Sequence, residues 1–208
     1  MINNILWDFD GVILDSMKIR TDGFIHIFSD YAPYLIDKLI DFHLTNGGWS
    51  RYVKIRYFYE EILDKCISES EVEAKAQEYS NYVFEKLTDP DLLIKDTLSW
   101  IKENYFNYKF HIVSGSDEKE LKRICTYLEI DKYFLSIHGS PEIKTRIIKH
   151  LILINGYKGE ETIMIGDSKN DQDAAIKNGI EFYGYNNNSL DSYNYIEGFK
   201  DFSPNQIS

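Results

Sequence analysis

The spacing of apolar and polar positions changes period twice along the chain. Ile5, Leu6 and Trp7 form a short apolar run that ends in Asp8, Phe9, Asp10 and Gly11. A run of that length closed by Gly predicts a buried strand over residues 5–9. From residue 17 to residue 87 the spacing is helical. Tyr52, Ile55, Tyr59 and Ile62 recur three and four apart, as do Val72, Ala76, Tyr79 and Val83. This is the apolar stripe of amphipathic helices, and no strand pattern interrupts it. Thr88, Asp89, Pro90 and Asp91 end it, because proline disfavours helix at the residue before it.

After residue 91 the two periods alternate. A helix is predicted over residues 92–103 and a strand over 110–113, stopped by Ser114, Gly115 and Ser116. Asp117 then caps a helix whose face carries Leu121, Ile124, Cys125 and Leu128. Glu120 stands where the second residue of a capping box belongs. Strands at 133–139, 162–167 and 180–185 alternate with helices at 141–154 and 169–179. The Asn- and Tyr-rich stretch 185–195 reads as surface loop. Strands alternating with helices define βαβ units. The expected fold is therefore α/β, a Rossmann-like parallel sheet core interrupted after its first strand by a helical domain. Residues 1–14 and 88–208 make the core, and 15–87 the insertion.

Composition narrows the partners. Lys plus Arg is 23 and Asp plus Glu is 34 in 208 residues, a formal net charge of −11. An acidic surface argues against nucleic acid and against anionic membranes. No apolar run approaches the ~20 residues of a membrane span. Cys66 and Cys125 lie in no metal-type spacing and read as reduced thiols. The first residues show no basic segment ahead of a long apolar one. A cytoplasmic protein, monomer or weak homodimer, is the expectation.

Polar groups gather at the carboxyl ends of the predicted strands: Asp8 and Asp10, Ser114, Asp167 and Asp171, with Lys144 just beyond its strand. Each alone is commonplace. A D-x-D is often a turn, a serine often a helix cap, a lysine usually solvated. Together they mark the crevice where open parallel sheets bind ligands.

These segments, residues 8–16 (DFDGVILDS), 111–116 (HIVSGS), the lysine of 139–144 (GSPEIK) and 165–171 (IGDSKND), resemble the haloacid dehalogenase-like superfamily in its capped phosphatase branch. They occur in that family's order. The resemblance implies a helical cap of the C1 type at 15–87 and a Mg²⁺-dependent phosphatase acting on a small phosphorylated metabolite. It makes Asp8 the nucleophile that forms an aspartyl-phosphate, and Asp10 the general acid and base. Mg²⁺ would be held by Asp8, the main-chain carbonyl of Asp10, Asp167 and Asp171, the last directly or through water. Such a shared cation offsets the repulsion between acids two residues apart. Ser114 and the backbone of Gly115 would bind the phosphoryl group, and Lys144 would neutralise it and bridge to Asp8.

The family's dehalogenases lack the second acid, so Asp10 favours phosphate. Its sugar phosphomutases have both acids but carry a histidine where this chain has Arg20. Hydrolysis is the expected reaction, with a sugar phosphomutase or a non-catalytic binding relative as alternatives. Residues 46–63 resemble the family's cap loop. Gly47 and Gly48 loosen the backbone, Ser50 is placed to cap a helix, and Arg51 would read the far end of the substrate. His26, His43, His111, His138 and His150 show no ligand spacing and read as core or surface residues.

Overall fold

Six parallel strands form one sheet in the order β3-β2-β1-β4-β5-β6. In the computed structural model, which describes residues 1–190 and 194–205, they are β1 Asn4–Trp7, β2 Lys109–Asp117, β3 Ser136–Ser140, β4 Thr162–Gly166, β5 Glu181–Tyr185 and β6 Asn194–Ile196. The central strand β1 is buried along its whole length. Ile5 and Trp7 belong to one apolar cluster and Leu6 to another. Successive side chains of a strand point to opposite faces, so a strand covered on both faces is a continuous apolar run. Trp7 lies opposite Ile112 of β2 and Ile165 of β4. The strand order departs to one side through β2 and β3 and to the other through β4, β5 and β6. This reversal is the switch point at whose carboxyl edge α/β sheets bind ligands.

Among the described residues eight α-helices accompany the sheet. Four lie in the insertion: α1 Met17–Ile27, α2 Pro33–Thr45, α3 Arg51–Tyr57 and α4 Glu69–Leu87. The other four, α5 Lys95–Asn104, α6 Glu118–Tyr127, α7 Lys144–Asn155 and α8 Lys169–Lys177, belong with the sheet. A π-helical turn, Phe58–Ile62, continues α3 and stacks Phe58 on Phe28 at 3.9 Å. Ser50 caps α3 by accepting from the Val53 N–H, and Ser68 with Glu71 forms a capping box on α4. The break at Pro90 is a short 3₁₀ turn, Pro90–Leu92. Among the described residues no helix is long and apolar enough to cross a membrane.

Three expectations need correction. The stretch read as loop at 185–195 contains β6, which pairs with β5 from Tyr183–Asn194 onwards; residues 191–193 lie outside the described residues. A three-residue edge strand inside an Asn-rich segment leaves no period to detect. The second strand runs on to Asp117, four residues past Val113, with a register shift between the two. And β1 stops at Trp7, short of the predicted end at Phe9, so Asp8 and Asp10 both sit on a tight loop. In that loop the Gly11 N–H donates to the Leu14 carbonyl at 2.8 Å.

Gly23 lets α1 and α4 touch. A Cβ there would stand 2.6 Å from the Tyr79 ring and 2.7 Å from Val83. Gly23→Val should therefore destabilise the protein by about 1–3 kcal/mol, the usual cost of overpacking. Chemical denaturation measures it, and an unchanged midpoint would mean that the two helices can separate at no cost.

Candidate active site

Asp8 leaves the end of β1 buried. Its N–H donates to the Ile165 carbonyl at 2.9 Å, and its Oδ1 accepts from the Phe9 N–H at 2.8 Å. Lys144, the first residue of α7, brings its Nζ to 2.7 Å from Asp8 Oδ1 and also pairs with Asp171. Asp171 is fixed in turn by Ser168, whose hydroxyl donates to its Oδ2 at 2.5 Å and whose N–H does so at 3.1 Å; the two residues form the capping box of α8. Carboxylate oxygens of Asp8, Asp167 and Asp171 come within 4.8 Å of one another. Two glycines make room for this. At Gly11, with φ +78°, a Cβ would fall 2.0 Å from Asp167 Oδ2; at Gly166 it would fall 2.4 Å from Asp171 Cβ.

The charges do not balance. Three carboxylates share one ammonium. Burial, then the charge of Asp171, raises the Asp8 carboxyl well above its ordinary range, although Lys144 opposes both. Burial and Asp171 push Asp167 up to about 7. Burial works against the charge on Lys144, but Asp171 and Asp8 outweigh it and hold the ammonium protonated. An all-oxygen set of three carboxylates, short of positive charge, fits a hard divalent cation such as Mg²⁺.

Asp10 stands in the opposite environment. Its Oδ1 accepts from the Ser16 hydroxyl at 2.5 Å and from Arg20 Nε at 2.9 Å, and its Oδ2 from the Ser116 hydroxyl at 2.6 Å. Burial would raise its pKa, but Arg20 and the two serines outweigh burial and hold it at about 2. Its carboxylate is not part of the acid cluster. Ser114 is buried, and its Oγ accepts from the Ser116 N–H at 3.0 Å. Gly115 is where the insertion lands on the sheet, since a Cβ there would be 2.3 Å from the Gly48 carbonyl. That carbonyl accepts from Asn170 Nδ2 at 2.7 Å.

The insertion is tied to the core through Glu120 of α6. Asp117 caps the helix by accepting from the Glu120 N–H at 2.9 Å, but the Glu120 side chain does not close the capping box. It accepts from Arg20 Nη1 at 2.6 Å, from Arg51 Nη1 at 2.8 Å and from Arg51 Nη2 at 2.6 Å. Arg51 also donates to the Ser80 hydroxyl at 2.6 Å and lies 4.5 Å over the Tyr79 ring. Burial opposes the charge on Glu120, yet Arg20 and Arg51 hold its pKa at about 2.

A cavity of about 40 Å³ lies between insertion and sheet. Asp8, Asp10, Ser114, Gly115 and Asp167 line its floor, and Arg20, His43, Arg51 and Lys54 its roof. Lys144 and Asp171 lie behind Asp8. Sequence reasoning did not find Ser16, Ser116, Glu120, His43 or Lys54. Ser116 and Ser16 stood within quoted motifs. Glu120 was hidden by its capping position. His43 and Lys54 meet only in the tertiary structure, where Lys54 Nζ is 2.9 Å from His43 Nδ1. Burial, then Lys54, lowers His43 to about 3, and burial among cations lowers Lys54 to about 7.

The chain belongs to the haloacid dehalogenase-like hydrolase family, which it matches over residues 5–185. It is thus an enzyme of the hydrolase class. It is 25% identical over 195 residues to a phosphoglycolate phosphatase of Haemophilus influenzae, covering 88% of this chain and 86% of the relative. It is 23% identical over 200 residues to pyrophosphatase PpaX of Halalkalibacterium halodurans, covering 88% and 84%. Among solved structures, beta-phosphoglucomutase from Clostridium difficile matches with a TM-score of 0.78 at 18% identity, over 98% of this chain and 94% of that one. The last is a likeness of fold.

The Glu120 tie has a pH signature. Its carboxyl ordinarily titrates near 4.5 and in the folded protein near 2. The stability it contributes is complete above pH 4.5 and is lost as the pH falls toward 2. Glu120→Gln leaves two buried arginines short of a partner and should cost about 3–5 kcal/mol at pH 7. Urea midpoints across pH should show the gap to the unsubstituted protein narrowing only below pH 4.5. A gap independent of pH would mean that Glu120 is not ionised in the fold.

Proposed function

We propose that the protein is a Mg²⁺-dependent phosphatase that hydrolyses a small phosphomonoester through a phospho-Asp8 intermediate, with residues 15–87 serving as its cap. The observation that carries this reading is the opposed treatment of two acids on one loop. Asp8 abuts an under-neutralised acid cluster and a lysine. Asp10 is surrounded by hydrogen-bond donors and faces the same cavity.

In the first step an Asp8 carboxylate oxygen attacks phosphorus, the bond to the leaving oxygen breaks, and Asp10 delivers a proton to that oxygen. As the side chains stand here Asp10 is ionised; the phosphate's own negative charge beside it favours the protonated form in the complex. In the second step Asp10 takes a proton from water. The water oxygen bonds to phosphorus, the bond to Asp8 breaks, and phosphate leaves. Lys144, the Ser114 hydroxyl and the Gly115 N–H bind phosphoryl oxygens. A Mg²⁺ held by Asp8, Asp167, Asp171 and the Asp10 main-chain carbonyl would supply charge neutralisation for the phosphoryl group. The pairing of Arg20 with Asp10 supports hydrolysis over a sugar phosphomutase reaction, for which a histidine is expected at that position.

Asp8→Asn should abolish phosphate release from any phosphomonoester with the fold intact, and chelation of divalent ions should do the same to the unsubstituted protein. Normal turnover by the variant would sink the nucleophile assignment. Asp10→Asn should slow alkyl phosphates by about 10²–10⁴-fold, the range of general acid catalysis, and an activated aryl phosphate much less in the first step. Single-turnover formation of the phosphoenzyme separates the two steps; equal loss on both substrate types would leave Asp10 a structural role.

A further inference from the structure

We propose that Arg20, His43 and Lys54 form a second anion subsite that selects small phosphorylated carboxylic acids, an inference that rests on the phosphatase reading above. The sequence pointed to Arg51 for this task, but three of its five N–H donors are committed elsewhere. Nη1 serves Ser80 and Glu120, Nη2 serves Glu120, and the guanidinium face lies on Tyr79. Arg51 is a tie between insertion and core.

The uncommitted groups lie beside it. Arg20 gives Nε to Asp10 and Nη1 to Glu120, while its Nη2 is buried with no hydrogen-bond partner among the described residues. His43 Nε2 is buried and unpartnered in the same way. Its Nδ1 faces Lys54 Nζ at 2.9 Å, and Lys54 also donates to the Gly47 carbonyl at 3.1 Å. An anion in the cavity favours the protonated form of Lys54; that ammonium has donors only, so Nδ1 accepts and the ring proton resides on Nε2. The free Nε2 is then a donor, like Arg20 Nη2 and the remaining N–H of Lys54. All three residues line the cavity that holds Asp8 and Asp10.

A buried donor without an acceptor is costly, and these converge on one small space. The ligand that satisfies them carries acceptors and no donors. A carboxylate does so; a sugar hydroxyl is a weaker acceptor and brings a donor of its own. Charge selects in the same direction, because Arg20, Arg51 and a protonated Lys54 outnumber Glu120 and Asp10, the two carboxylates paired with the arginines.

The test compares three substrates with Mg²⁺ present: phosphoglycolate, 2-hydroxyethyl phosphate, which replaces the carboxylate with an alcohol, and ethylene glycol bisphosphate, which replaces it with a second phosphate. The unsubstituted protein should favour phosphoglycolate over the alcohol by about 10- to 100-fold in kcat/KM, chiefly through KM, as expected for charge-assisted hydrogen bonds. Lys54→Met should reduce that preference by about ten-fold or more, a ratio that a general loss of folded protein would leave unchanged. Equal kcat/KM for phosphoglycolate and the alcohol overturns the subsite, and preference for the bisphosphate overturns the carboxylate. Calorimetry of the same three compounds on Asp8→Asn separates this proposal from the reaction. Tighter binding of phosphoglycolate without hydrolysis by the unsubstituted protein would uphold the subsite and reject the phosphatase reading. Indifferent binding would reject the subsite alone.

Discussion

Asp8, Lys144 and Asp171 form the contact on which the rest of the site depends. Like charges buried at the ends of adjacent strands repel and lose solvation, so they need a counter-charge. Lys144 supplies it from the first position of α7, touching both carboxylates. The sheet order brings the partners together. β1 and β4 are neighbours although more than 150 residues separate them, so Asp8 and Asp167 leave adjacent strands at the same edge. The small residues follow from this packing: Gly11 and Gly166 stand where side chains would strike Asp167 and Asp171. One ammonium against three acids leaves an excess of negative charge, which suits a divalent cation.

Asp10 shows how a neighbour two positions away escapes the same field. Its two oxygens point to Ser16, Arg20 and Ser116 rather than to the acid cluster. The loop that turns at Gly11 separates the two environments. Asp8 is pushed up and Asp10 down to about 2, although Asp8 is buried and Asp10 largely so. Burial alone would have raised both; the sign is decided by the cation each carboxylate meets and by the acids each avoids.

The core was legible because its period was local. β1 is an unbroken apolar run, and strand–helix alternation after residue 91 announces the parallel sheet. The polar residues at strand ends were legible because a parallel sheet gathers those ends at one edge. The insertion was legible as helical, but its chemistry was not. Glu120 occupied a position where an acid is expected for local reasons, so its long-range role left no local trace. His43 sits on α2 and Lys54 on α3, and nothing in their spacing announces that the helices bring them to 2.9 Å. β6 was missed because a three-residue strand at a sheet edge is too short to carry a period.

The position of the insertion and the protonation of Asp10 are linked by Arg20. This residue belongs to α1, yet its guanidinium reaches Asp10 on the loop after β1 and Glu120 on α6. Any movement of α1 away from the sheet removes from Asp10 its largest favourable charge and leaves burial, opposed by Ser116 and Ser16, to raise its pKa. The same movement strips Glu120 of Arg20, and motion of α3 strips it of Arg51. Separation therefore exposes Glu120 to water, which lowers its cost, but gives up three charge-assisted hydrogen bonds. A small anion entering beneath the roof adds acceptors to Arg20 and Lys54 without taking Glu120 from either arginine. It adds negative charge next to Asp10, which favours the protonated carboxyl, while keeping Arg20 in place, which opposes it; the balance of these two charges sets the state of Asp10.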